Sequence, residues 1–286
     1  MILRRRGVSL AELLVALVLL ALLGTAAMRT TITLGRQGVA VAEHAAVQGG
    51  VRTGMILARA ELRELGRDEA GADLLRIHPD SVTFRAARGF GVTCAVFASQ
   101  VRVRDAPPVP FSRLRAVAPG RDSLLLFVDG DSTTAADDRW IALPVLAVGS
   151  ASCGGAPALA VQTADLAAAL PSGSLTDVVV GGPVRTFEVV RLAEYASGGQ
   201  RWLGLASLSG GESVQPVAGP LDGDGLTLEY LDAAGAAVAD PLAVRSIRLT
   251  LVGSGERQVP AGWTGAARAV IAETVSTQVF LRNVQR

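Results

Sequence analysis

One segment constrains this chain more than any other: Val8 to Ala27, twenty residues that carry a single charge, Glu12. At about 1.5 Å per residue, a helix of that length spans roughly 30 Å, the thickness of a bilayer core. Three arginines, Arg4, Arg5 and Arg6, precede it. The positive-inside rule keeps them on the cytoplasmic side and sends the rest of the chain outward. A secretory signal peptide is the plain alternative, with an A-x-A-like site at Gly24-Thr25-Ala26-Ala27. Two features oppose it. The apolar run is long for such a peptide. A carboxylate at mid-bilayer also costs about 2.5–3.5 kcal/mol, so Glu12 calls for a function.

Composition narrows the classes. The chain has 286 residues, enough for one large domain or two small ones. Its 27 basic and 26 acidic residues nearly cancel, which argues against a nucleic-acid binder or an acidic tail. Every basic residue is arginine, so neither a Schiff-base lysine nor a phosphate-loop lysine is present. Two histidines and two cysteines are too few for a multi-ligand zinc site. No metal, cofactor or small-molecule substrate is expected, and no enzymatic activity.

The stretch Arg6-Gly7-Val8-Ser9-Leu10-Ala11-Glu12-Leu13-Leu14-Val15-Ala16-Leu17 resembles the class III signal of type IV pilin-like proteins. The resemblance implies that a prepilin peptidase cuts after Gly7, the last leader residue, and that Val8 becomes the methylated mature N-terminus. Glu12 is then the fifth mature residue, where the family carries a glutamate. The family usually has Phe at the first mature position; here it is Val. The chemistry is coherent. Cleavage leaves an amine on Val8 beside a low-dielectric core, and a carboxylate from an adjacent subunit neutralises it; each charge alone is costly to bury. Losing Arg4, Arg5 and Arg6 with the leader takes the formal net charge from +1 to −2.

Helical periodicity continues past the membrane segment. Val47, Val51, Met55, Ala58, Leu62 and Leu65 define one apolar face, and Gly66 is a helix stop. A helix from Val8 to Leu65 would be about 87 Å long. Glycines at 24, 35, 38, 49, 50 and 54 weaken it, which predicts a bend near Gly35–Gly38 or, alternatively, two helices joined there. Beyond Gly66 the pattern turns to strands over 81–86, 92–98, 101–104, 124–128 and 140–148. Further runs follow at 184–192, 202–208, 226–231, 247–252 and 270–281. Turns are expected at His78–Ser81, Asp129–Asp131, Ser197–Gly199 and Leu221–Gly225, and a helical piece near Thr163–Leu170. The fold class is α+β: a leader over 1–7, a membrane or filament-core helix over 8–27, its amphipathic continuation over 28–66, and a mostly antiparallel β-rich domain over 67–286.

Several residues compete for a chemical role. Cys94 and Cys153 can form a disulfide outside the cytoplasm, closing a loop worth roughly 4 kcal/mol in the chain-entropy model; the alternative is two free thiols. Asp129-Gly130-Asp131 and Asp222-Gly223-Asp224-Gly225 resemble fragments of calcium loops but lack the further acids, and Asp-Gly turns explain both. Ser150–Gly155 has no histidine in a partner motif, since His44 lies on the helix and His78 in a turn. Arg85, Arg88, Arg102, Arg104, Arg113, Arg115 and Arg121 make a basic stretch that could meet DNA phosphates or simply form a solvated strand face.

A second, looser resemblance is to PilW-like minor pilins. It rests on Leu62-Arg63-Glu64-Leu65-Gly66-Arg67-Asp68, Val244–Leu249 and Thr277–Asn283. J-type minor pseudopilins of type II secretion are similar to these. The resemblance implies a structural subunit whose partners are the peptidase, other minor and major pilins or pseudopilins, and inner-membrane lipid before assembly. Its β domain then lies outside the cytoplasm, first at the inner membrane and later in a filament.

Overall fold

A computed structural model describes residues 9–68, 71–130, 133–134, 137–261 and 267–282. One helix, α1 (Leu10–Arg63), runs 54 residues, about 81 Å at 1.5 Å per residue. It passes unbroken through Gly35 and Gly38, so the alternative of two joined helices does not hold. Short strands β1 (Arg67–Asp68), β2 (Gly71–Ala72) and β3 (Leu74–His78) follow the helix. Next come β4 (Ser81–Phe97), β5 (Gln100–Arg104), β6 (Ser112–Arg113), β7 (Ser123–Val128), β8 (Arg139–Pro144), β9 (Ala147–Cys153) and β10 (Ala156–Gln162). A one-turn helix, α2 (Leu166–Ala169), precedes the long strands β11 (Pro183–Ser197), β12 (Gln200–Ser207), β13 (Gln215–Leu231), β14 (Ser246–Ala261) and β15 (Ala267–Phe280).

Among the described residues, 13 strands form one antiparallel sheet in the order β15-β14-β13-β12-β11-β4-β5-β10-β9. Strands β3 and β6 add to β4, and β7 pairs with β11 and β8. The molecule is therefore α+β, a long helix laid on a large antiparallel sheet.

Three expectations need correction. The runs at 81–86 and 92–98 are one 17-residue strand, β4. Its pattern is interrupted by Gly89 and Gly91, which leave room for Phe111, and by a bulge between Thr93 and Ala95. The segment Leu221–Gly225 is not a turn between strands. It lies inside β13, where the register with β14 shifts between Leu221 and Leu226. The run at 140–148 divides into β8 and β9.

Two apolar cores result. In one, Val47, Val51, Met55, Ala58 and Leu62 of α1 pack on β11 to β15. These are the residues whose spacing predicts the buried face. In the other, Val101, Val103, Leu124, Leu126 and Val161 fill the space beneath β5, β7 and β10. Strand β11 serves both, with Val184 in the second core and Val190 and Leu192 in the first.

Candidate functional site on the N-terminal helix

Arg4, Arg5, Arg6, Gly7 and Val8 lie outside the described residues, which begin at Ser9. Ser9 is the N-cap of α1. Its Oγ accepts a hydrogen bond from the Glu12 N–H at 3.2 Å, and the Ser9 N–H donates to Glu12 Oε2 at 2.9 Å. This is a capping box, which satisfies otherwise orphaned backbone donors at the helix start. It holds the Glu12 carboxylate one residue from Val8. The Ser9-Leu10-Ala11-Glu12 spacing carries the capping signal in plain sequence, yet reading Glu12 only as a membrane acid overlooks Ser9.

From Leu10 to Met28 the helix carries no charge but Glu12 and is exposed throughout. Leu13, Leu17, Leu20, Leu23 and Leu34 are all at least half exposed, with no cover among the described residues. The hydroxyls of Thr25, Thr30, Thr31 and Thr33 donate back to carbonyls of Leu22, Ala26, Ala27 and Arg29 at 2.9–3.0 Å. They place no unmet polar group on the rod, as a helix in lipid or packed among other helices requires.

The rod meets the domain at Glu43. Its Oε1 accepts hydrogen bonds from the backbone N–H of Glu256 (2.6 Å) and Arg257 (3.1 Å). Both residues sit where β14 bulges between Ser254 and Gln258. Further along, helix and sheet approach so closely that side chains are excluded. A Cβ on Gly253 would stand 2.1 Å from Val51 Cγ2, and one on Gly54 would stand 2.6 Å from Ala218 Cβ.

The C-terminal end of α1 is tied down by charge. Arg88 bridges Glu61 of α1 (3.1 Å) and Glu188 of β11 (2.5 Å). Glu188 is 3% exposed and also accepts from Arg121 (2.6 Å) and the Ser207 hydroxyl (2.8 Å). Burial pushes its carboxyl up, but Arg121, Arg88 and Ser207 together outweigh burial and hold it at about 2. Arg115 pairs with Asp122 through both guanidinium arms at 2.6 and 2.7 Å. Arg102 stacks on Phe97 and bonds the Ser152 carbonyl, and Arg113 reaches Asp105 and the Phe111 ring. Arg88 and Arg121 thus pair with acids from distant segments, Arg113 and Arg115 pair with the nearby Asp105 and Asp122, and Arg85 and Arg102 lie over the rings of Phe187 and Phe97. The basic stretch is neither an open phosphate-binding face nor a merely solvated one.

Cys94 and Cys153 form a disulfide, with Cα atoms 6.1 Å apart. Cys94 occupies the bulge of β4 between Thr93 and Ala95, and Cys153 closes β9, so the bond spans β5 and β10 in the sheet order. Carboxylates of Asp129, Asp137 and Asp138 gather within 4.8 Å, while Asp131 lies outside the described residues. Asp222 and Asp224 lie in the irregular part of β13, where Asp222 Oδ1 accepts from the Gly223 N–H at 2.8 Å. Ser150 and Ser152 lie along β9, whereas His44 contacts Gln48 on α1 and His78 contacts Asp80 in the β3–β4 turn.

The prokaryotic N-terminal methylation motif matches residues 2–28. No curated protein and no solved structure matches the chain. The motif and the long apolar helix behind it support a class III, prepilin-type signal at the N-terminus, of the kind that type IV pilin-like proteins carry. That signal supports a type IV pilin or pseudopilin, a structural class rather than a catalytic one.

Proposed function

We propose that this chain is a minor pilin, PilW-like, that helps to start or extend a type IV filament. The observation that carries the reading is α1 itself. One continuous helix joins a methylation motif, an uncovered apolar rod and a β domain of some 220 residues, and the resemblance to pilins implies a minor subunit because major pilins are usually smaller. The precursor sits in the inner membrane through residues 8–27, with the β domain outside the cytoplasm. Prepilin peptidase removes residues 1–7, Val8 is methylated, and the rod then leaves lipid for a bundle of neighbouring rods. Both media cover its exposed leucines, so the transfer exposes little apolar surface to water. Glu12 pairs with the Val8 amine of an adjacent subunit and sets the axial register.

Intact mass and N-terminal sequencing of the protein from its native membrane test this first. A chain beginning at methylated Val8 is expected; a start near Ala27 would overturn the reading. Glu12→Ala is expected to be cleaved normally but to lose most filament incorporation. Full incorporation of that variant would remove the role given to Glu12. A J-type pseudopilin is the related alternative. Deleting the chain should lower pilus number, and intact pili with a secretion defect would assign the pseudopilin instead.

A further inference from the structure

The two ends of the large sheet are built differently. At one end β9 is seven residues long, contains Gly149, and is fastened to β4 through Cys153. At the other end β15 is 14 residues long and, among the described residues, pairs only with β14. From Ala269 to Phe280 it holds no proline, no glycine and no arginine, and its one charge is Glu273. Ile271, Glu273, Val275 and Thr277 are half-buried, while Ala272, Thr274, Ser276 and Gln278 alternate with them and are exposed. Phe280 is 69% exposed. Natural edges are usually shortened, charged or interrupted, because a row of open N–H and C=O groups is a template for another strand. Of those protections the edge of β15 from Ala269 to Phe280 has one, the single half-buried charge of Glu273.

Direction limits what can pair there. Val270 and Ile271 lie beside Ala40–Gln48 of α1, and Arg282 bonds Glu64 at the far end of the helix. Eleven strand residues cover about 36 Å, and the matching twenty helix residues cover about 30 Å. Strand and helix therefore run side by side in the same direction, away from the apolar rod. Antiparallel pairing of β15 with a second copy would turn the second α1 end over end, and the two rods could not share one membrane or filament core. Parallel self-pairing would align the helices but place them on opposite faces of the joined sheet, with the sheet between them.

We infer that the β15 edge accepts a strand from the β domain of a different pilin-like subunit, antiparallel to β15 and running toward the membrane. The pairing is by β-strand addition: backbone hydrogen bonds along Ala269–Gln278 give the affinity, and Phe280 is the side-chain anchor at one end. The inference rests on the filament-subunit reading above.

The test places p-benzoylphenylalanine at Ala272, Thr274, Ser276 and Gln278 in turn, in the full chain in cells that assemble the filament. Irradiation should yield one heterologous product. The cross-linked position on the partner should step backward by two residues each time the probe steps forward by two. Thr274→Pro and Val275→Pro sharpen it. N–H groups of successive residues point to opposite edges, so one of the two prolines removes only an outward N–H. That variant should keep its unfolding midpoint and lose at least tenfold of the product; if both prolines unfold the domain, the cross-link walk decides alone. Self-cross-links, a walk in the wrong direction, or undiminished product in the stable proline variant would each overturn the assignment. N-terminal sequencing from the same cells separates the two ideas. A chain that starts at Val8 and assembles without a heterologous product sinks the edge assignment alone. A chain not cut after Gly7 sinks the filament reading and the edge assignment with it.

Discussion

The two halves of α1 are one helix built for two solvents. In the first half Leu20 and Leu23 are each 69% exposed; in the second, Leu62 is 0% exposed. The first half is apolar on every side, because lipid or a bundle of like helices can cover every side. The second half is apolar on one stripe, because the sheet covers only one. Hydrophobic character alone does not say where a residue is buried. What distinguishes the halves is whether the apolar positions surround the axis or repeat along one face.

Substitutions can break this contrast, and the largest effect is expected where the second half is held by charge. Glu188→Ala removes the acceptor shared by Arg88 and Arg121 and loosens the tie to Glu61. Breaking so buried a pair costs about 3–5 kcal/mol, measurable by denaturant unfolding. Leu62→Ala opens a cavity under the stripe and should cost about 2–5 kcal/mol. Leu20→Ala, the same change in the first half, should leave the domain's unfolding midpoint where it was. If both leucine variants shift that midpoint alike, the contrast between the halves is wrong.

Acid sharpens the comparison. The Glu188 carboxyl lies at about 2 in the folded protein against an ordinary 4.5. Its contribution to stability is therefore complete above pH 4.5 and is lost as the pH falls through about 2. Thermal unfolding in detergent should show the midpoint dropping across that window. Glu188→Gln should start lower and lose less over the same range. Ser9→Ala is expected to have the smallest effect, about 1 kcal/mol confined to the first turn of the helix. Amide exchange should quicken near Leu10–Leu14 and remain unchanged in the sheet.

Much of this architecture can be read from the sequence, in proportion to how local its causes are. The stripe from Val47 to Leu65 follows from side-chain spacing within one element. The capping box of Ser9 and Glu12 lies within four residues and is equally readable. Glu43 and Glu188 are different. Glu43 meets backbone groups more than 200 positions away, and Glu188 meets Arg88 across 100. Nothing near either residue in the chain marks it as more than a surface acid. The continuity of β4 is hidden for a related reason: Gly89 and Gly91 read as punctuation until Phe111 is seen against them. Asp222–Gly225 reads as a turn because a strand irregularity and a turn favour the same residues.

The alignment of α1 with the long strands has a mechanical consequence. A subunit drawn out of a membrane is pulled along its helix axis. That load enters the sheet at Glu43 and along the contact around Gly253, and it runs lengthwise through β14 and β15. Their ladder, from Ser246–Phe280 to Ala261–Ala267, is then loaded in shear. Many hydrogen bonds share the strain at once, whereas a pull across the strands would open them one by one. On the filament-subunit reading proposed above, extraction would load this ladder along its strands rather than across them.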